Sequence, residues 1–123
     1  MKMAPPPPIE VTATGCVIPA AFFPFAKATL VPGTEERLLE CVELVLDHIR
    51  KGGRVVLIAS TDGLGDHERV NLPLSAARGQ TVKAVFEARG IAGSAIEIVA
   101  IGEAGAIDGV ADPDRRRVTV ELR

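Results

Sequence analysis

The stretch "RVVLIASTDGLGDHERVNLPLSAARG", Arg54 to Gly79, runs from an apolar segment through a polar turn into a segment of helical period. Arg54 to Ser60 is almost continuously apolar, the pattern of a central strand covered on both faces. From about Leu72 to Arg89 the spacing predicts a helix closed by Gly90. Pro73 falls in its first turn, where backbone N–H groups lack intrahelical acceptors anyway. At 100° per residue from Leu74, the residues Val85, Val82 and Ala88 form one apolar stripe. Arg78 lies about 40° and Asn71 about 60° from Leu74, inside that stripe. Lys83, Glu87 and Gln80 take the opposite side. Arg78 and Asn71 are therefore expected to point toward the sheet, and Asp62 to stand just past the carboxyl end of the preceding strand.

Outward from this centre, the chain divides into four predicted strands and two helices. "IEVTATGCV" alternates Ile9, Val11 and Ala13 with polar residues and reads as a first strand. "IPAAFFPFAKATLVPG" holds three prolines and is read as an ordered connection in which Phe22, Phe23 and Phe25 lid the core. A helix follows from about Thr34, a candidate N-cap, to Lys51, with Glu35 and Glu36 in its first turn. Its core stripe is Leu38, Val42, Val45 and Ile49, and Gly52 and Gly53 end it. "AIEIVAI" (Ala95 to Ile101) is a third strand. A Gly-rich loop leads to a last, cleanly alternating strand, "RVTVEL" (Arg117 to Leu122). The order β-α-β-α-β-β implies an α/β sandwich, a mixed sheet with two helices packed on it.

Composition sets the bounds. The 123 residues suffice for one core, and 47% are hydrophobic with only four Phe and no Trp or Tyr, so that core is aliphatic. A formal net charge of -2 with mixed signs, and so few aromatics, argue against nucleic acid and anionic membranes as partners. No apolar run reaches the roughly 18 residues of a membrane span. "MKMAPPPPIE" lacks the apolar region of a signal peptide, so the chain is read as cytosolic or as a mature segment with a new starting Met. Residues 1–8, with "PPPP", read as a stiff leader or linker to a domain at 9–123. Cys16 and Cys41 lack metal-type spacing and admit either two buried thiols or one disulfide.

A guanidinium carried inward must be paired or be costly. Two readings of Asp62 and Arg78 follow. In one they salt-bridge each other. In the other they are held apart in one cleft and recognise a zwitterion, Asp62 taking an ammonium and Arg78 a carboxylate. Other chemistries fit poorly. Asp62, Asp66, His67 and Glu68 offer hard ligands but read as a solvated loop, with no second cluster to complete a metal site. "GLG" lacks the remaining residues of a phosphate loop. Ser75 is within a helix, away from any nucleophile elbow, and neither cysteine has a His partner. No catalytic residue and no cofactor is expected. One arginine of "DRRR" (Asp114 to Arg117) is expected to face the cleft.

"TDGLGDHERVNLPLSAARG" resembles the T-D-x-x-G…N-x-x-L-S-x-x-R-A signature of the OmpA-like C-terminal, peptidoglycan-associated domain family. Thr61, Asp62, Gly65, Asn71, Leu74, Ser75 and Arg78 match it. "FAKATLVPG", Gly102-Glu103 and Arg116-Arg117-Val118 are similar to other segments of that family. The resemblance implies a βαβαββ domain of the periplasm or cell envelope that binds peptidoglycan, without catalysis, through the diaminopimelate of its stem peptides. It implies that Asp62 and Arg78 hold the amino-acid end of that residue, with Thr61, Asn71 and Arg117 in or beside the pocket. It also admits other envelope proteins as partners, the fold then serving as an interaction domain that has lost or altered this ligand. The chain departs from the family pattern at Ala59, Ser60, Val70, Gly79 and Arg115, and one extra residue separates Gly65 from Asn71.

Overall fold

The computed structural model describes residues 9–24, 26–107, 109–112 and 115–123. The leader and Phe25 lie outside these residues. Five strands form one mixed sheet: β1 (Glu10–Thr12), β2 (Gly15–Ile18), β3 (Val55–Ser60), β4 (Ile96–Gly102) and β5 (Arg117–Leu122). Their order is β1-β2-β5-β3-β4. Only β3 and β4 run parallel, joined by the crossover through helix α2 (Leu72–Ala88). Helix α1 (Leu39–Arg50) connects β2 to β3. The α/β sandwich read from the sequence is present.

The expected first strand is a hairpin. β1 and β2 pair antiparallel around Ala13 and Thr14, with Thr12 opposite Gly15. Gly15 has φ +152°, and a Cβ there would overlap the Val120 carbonyl oxygen. Glycine thus lets β2 approach β5 closely, and the alternation of Ile9, Val11 and Ala13 breaks there.

β3 also differs from expectation. Val55, Leu57 and Ala59 join the core with both helices, whereas Val56 and Ile58 face the other side of the sheet. No helix covers that side among the described residues. Val56 is buried nonetheless, because Glu97 on β4 and Glu121 on β5 flank it in register. Their aliphatic stems can screen it while the carboxylates stay wet. A near-continuous apolar run therefore marks an interior strand here, not a sheet covered twice.

α1 begins as a tight 3₁₀ turn at Glu35–Leu38. Thr34 is not its side-chain cap: the hydroxyl donates to the Val31 carbonyl at 2.6 Å, held there by the preceding turn. The Leu38, Val42, Val45 and Ile49 stripe does face the core. Cys16 and Cys41 are joined as a disulfide, fastening β2 to α1.

α2 buries a face rotated from the one read on the wheel. Ser75, Gly79, Val82 and Phe86 are its buried centre, while Ala88 is exposed. A Cβ on Gly79 would lie 2.8 Å from Cγ2 of Ile98, so glycine here lets the helix sit close to the sheet. Arg78 is thereby moved to the shoulder of the buried face, toward the connection that follows β2.

Candidate functional site

β3 ends at Ser60, and the chain turns over the top of the sheet. Thr61 N–H donates to the Gly102 carbonyl at 2.7 Å, and Gly102 N–H donates to Ser75 Oγ at 3.1 Å. The carboxyl ends of β3 and β4 are thus tied to the first turns of α2. Asp62 follows, only 3% exposed. Its Oδ1 accepts from Leu64 N–H at 3.2 Å and its Oδ2 from Asp112 N–H at 2.9 Å. Gly65, at φ +85°, reverses the chain.

Between Gly65 and Asn71 the backbone makes a π-type turn over His67–Asn71. Asp66 caps it through Oδ1 to Arg69 N–H, and Asn71 N–H reaches back five residues to the Asp66 carbonyl. The wider turn takes up the extra residue of this chain, as single-turn π bulges do near functional sites. Asn71 is consequently still in place: its Nδ2 donates to the Leu64 carbonyl at 2.7 Å and, more weakly, to that of Asp62 at 3.5 Å.

Nearly two turns into α2, Arg78 is 5% exposed. Its guanidinium does not point at the sheet. Nε donates to the Lys27 carbonyl at 2.9 Å and Nη2 to that of Pro24 at 3.5 Å, while Cζ lies 5.0 Å from the centre of the Phe23 ring. The ring face supplies cation–π attraction. Among the described residues no carboxylate forms an ion pair with Arg78. Burial, and secondarily the positive charge of Arg116, lower its pKa from the ordinary guanidinium value.

Thr61, Asp62, Asn71, Arg78 and Arg116 line one cavity of about 390 Å³, with apolar walls that include Phe23, Leu64, Val70 and Leu74. Four of the five residues expected at the site are therefore together. The fifth, Arg117, is not: it is exposed and pairs in register with Ser60 on the helix-free side of the sheet. Arg116 takes its place, with Nε 3.0 Å from Asp62 Oδ2. The alternation of β5 contains the signal for this. Val118 and Val120 are core, so two residues earlier Arg116 shares their side while Arg117 shares that of Thr119.

The roles differ within the set. Thr61, whose Oγ1 donates to the Asp62 carbonyl at 3.0 Å, and Asn71 hold the loop in shape. Asp62 and Arg78 are not paired with each other, which removes the first of the two readings. Asp62 is paired with Arg116 instead. Of the loop residues weighed as metal ligands, Asp66 is a cap and His67 Nδ1 accepts from Glu103 N–H at 3.2 Å. Among the described residues no three His, Cys, Asp or Glu side chains gather to hold an ion. No helix among them is long and apolar enough to cross a membrane.

Residues 22–119 match the sequence model of the OmpA family. A search of curated protein sequences returned no match. Among solved structures, the chain is similar to the peptidoglycan-associated lipoprotein of Burkholderia pseudomallei, with TM-score 0.69 and 18% identity over 87% of this chain and 89% of that one. It is similar to the OmpA-like domain of FopA1 from Francisella tularensis subsp. tularensis SCHU S4, with TM-score 0.66 and 20% identity over 94% and 80%. The periplasmic domain of Helicobacter pylori MotB matches with TM-score 0.66 and 15% identity over 93% and 76%. At these identities the likeness is one of fold.

Proposed function

The chain belongs to the OmpA family, and on that premise we propose that it binds peptidoglycan without catalysis and so anchors an envelope protein or complex to the cell wall. The ligand is the diaminopimelate of the stem peptide, its carboxylate on Arg78 and its amino end toward Asp62. Residues 9–123 act as the binding domain and residues 1–8 as a leader to it. The observation that carries the reading is Arg78, a buried guanidinium that lines the cavity and is ion-paired with no carboxylate among the described residues. A ligand carboxylate supplies the missing partner as a charge-assisted fork. Phe23 beneath the guanidinium and the two backbone carbonyls fix its orientation before the ligand arrives.

Two further features support this reading. The Burkholderia match carries peptidoglycan association in its name. The Cys16–Cys41 disulfide suits an oxidising compartment such as the periplasm. Affinity should be modest. One or two charge-assisted bonds of about 1.5–3 kcal/mol each, less the cost of association, leave a millimolar to micromolar site. Such a site suits a polymer that repeats its ligand.

Pulldown with isolated sacculi tests the reading. Wild-type protein is expected in the pellet, and Arg78→Ala in the supernatant with a lowered but still cooperative melting transition, since the Lys27 and Pro24 carbonyls lose their donor. Wild-type protein that stays in the supernatant, or an Arg78→Ala variant that sediments equally, would overturn it. In the rival reading, an interaction domain that has lost or altered this ligand, wild-type protein stays in the supernatant; the Asp62–Arg78 pair imagined for it is replaced by Asp62 with Arg116.

A further inference from the structure

Three charged side chains line the cavity: Asp62, Arg78 and Arg116. Two cations face one anion, so the cavity carries a net charge of +1. The single carboxylate is already well occupied. A carboxylate offers about four acceptor positions. Leu64 N–H takes one on Oδ1, and Asp112 N–H and the Arg116 guanidinium crowd Oδ2. Arg78 is in the opposite condition, with only two of its five N–H groups donating to protein acceptors among the described residues. A carboxylate entering the cavity neutralises it. An ammonium arriving at Asp62 meets a cation already there.

Resting on the diaminopimelate reading above, we infer that recognition is lopsided: the ligand's carboxylate on Arg78 supplies the affinity, and its amine adds little because Arg116 already neutralises Asp62. Arg116 is then the residue that sets specificity. It competes with the ligand's ammonium for Asp62 and biases the site toward the carboxylate of its ligand. Its Nε lies close to Oδ2 but off the line of a hydrogen bond, so the pair is held by charge and proximity. Like-charge repulsion between the two guanidiniums adds to the demand for an anion, consistent with the lowered pKa of Arg78.

Three stem peptides that differ only at diaminopimelate test this by calorimetric titration: unmodified, acetylated on the free amine, and amidated on the free carboxylate. For wild-type protein, amidation should weaken binding about tenfold or more, the loss expected for one charge-assisted bond, and acetylation less than about threefold. In R116Q the unpaired Asp62 becomes available, and acetylation should now weaken binding by about tenfold. Acetylation that harms the wild type as much as amidation would overturn this inference while leaving the diaminopimelate reading intact. An R116Q protein that is folded by thermal melting yet indifferent to acetylation would remove Arg116 from the role. Failure of all three peptides to bind the wild type would overturn both readings.

Discussion

Two regions of the interior bury very different things. In the core between the helices and the sheet, the buried side chains are aliphatic and aromatic, and the Cys16–Cys41 disulfide fastens β2 to α1 there. At the carboxyl ends of β3 and β4, the buried set is Thr61, Asp62, Asn71, Ser75 and Arg78. Shape and volume hold the first region together, and a hydrophobic residue of similar size can replace another at modest cost. The second is held by hydrogen bonds that must each find a partner, because an unsatisfied buried group costs about 1–3 kcal/mol. A domain that needed only to fold would have no reason to place five polar side chains there. On the proposed reading, the difference separates the part that makes the protein stable from the part that binds.

Substitutions can break or sharpen that contrast. The largest effect is expected in the apolar core: Phe86→Ala, in a fully buried position, should cost about 3–5 kcal/mol in denaturant unfolding. Replacing both cysteines by serine should cost about 3.5 kcal/mol, the chain-entropy value for a separation of 25 residues, with affinity for muropeptides unchanged below the melting transition. Asn71→Ala should cost about 1–3 kcal/mol by leaving the Leu64 carbonyl without its donor, and should also weaken binding, since that carbonyl's loop carries Asp62. Gly79→Ala should destabilise by about 1–2 kcal/mol: overpacking against Ile98 outweighs a gain in helix propensity of up to about 1 kcal/mol. Smallest is Arg117→Ala, expected to leave both melting and sacculus binding unchanged, in contrast to Arg78→Ala. Equal losses from Arg117→Ala and Arg78→Ala would erase the distinction between the two faces of the sheet.

The fold was legible in the sequence where side-chain period reports burial directly. The α1 stripe, the length of α2 and the β5 alternation all follow from it. The hairpin at Gly15 was hidden because its signature is an absent side chain, needed for an approach between strands that only the assembled sheet reveals. α2 was misread in rotation for the same reason. Two of its most deeply packed positions are Ser75 and Gly79, which a hydrophobic wheel counts as neutral. In the site, Asp62, Thr61, Asn71 and Arg78 were legible through a motif and through one charged residue on an apolar stripe. Arg116 was missed in favour of Arg117, although parity with Val118 and Val120 distinguishes them. The pairing of Asp62 with Arg116 joins residues 54 positions apart and depends on how the loop before β5 lies over the turn after β3. No local pattern encodes that.

The account depends on an open guanidinium at Arg78 that takes up the carboxylate of a cell-wall peptide. Equilibrium titration of the folded domain with a diaminopimelate-containing muropeptide tests this most directly. Saturable binding between about micromolar and millimolar, lost in an Arg78→Ala protein that still melts cooperatively above the assay temperature, is the predicted result. A flat titration of wild-type protein, or a curve that Arg78→Ala reproduces, would contradict it.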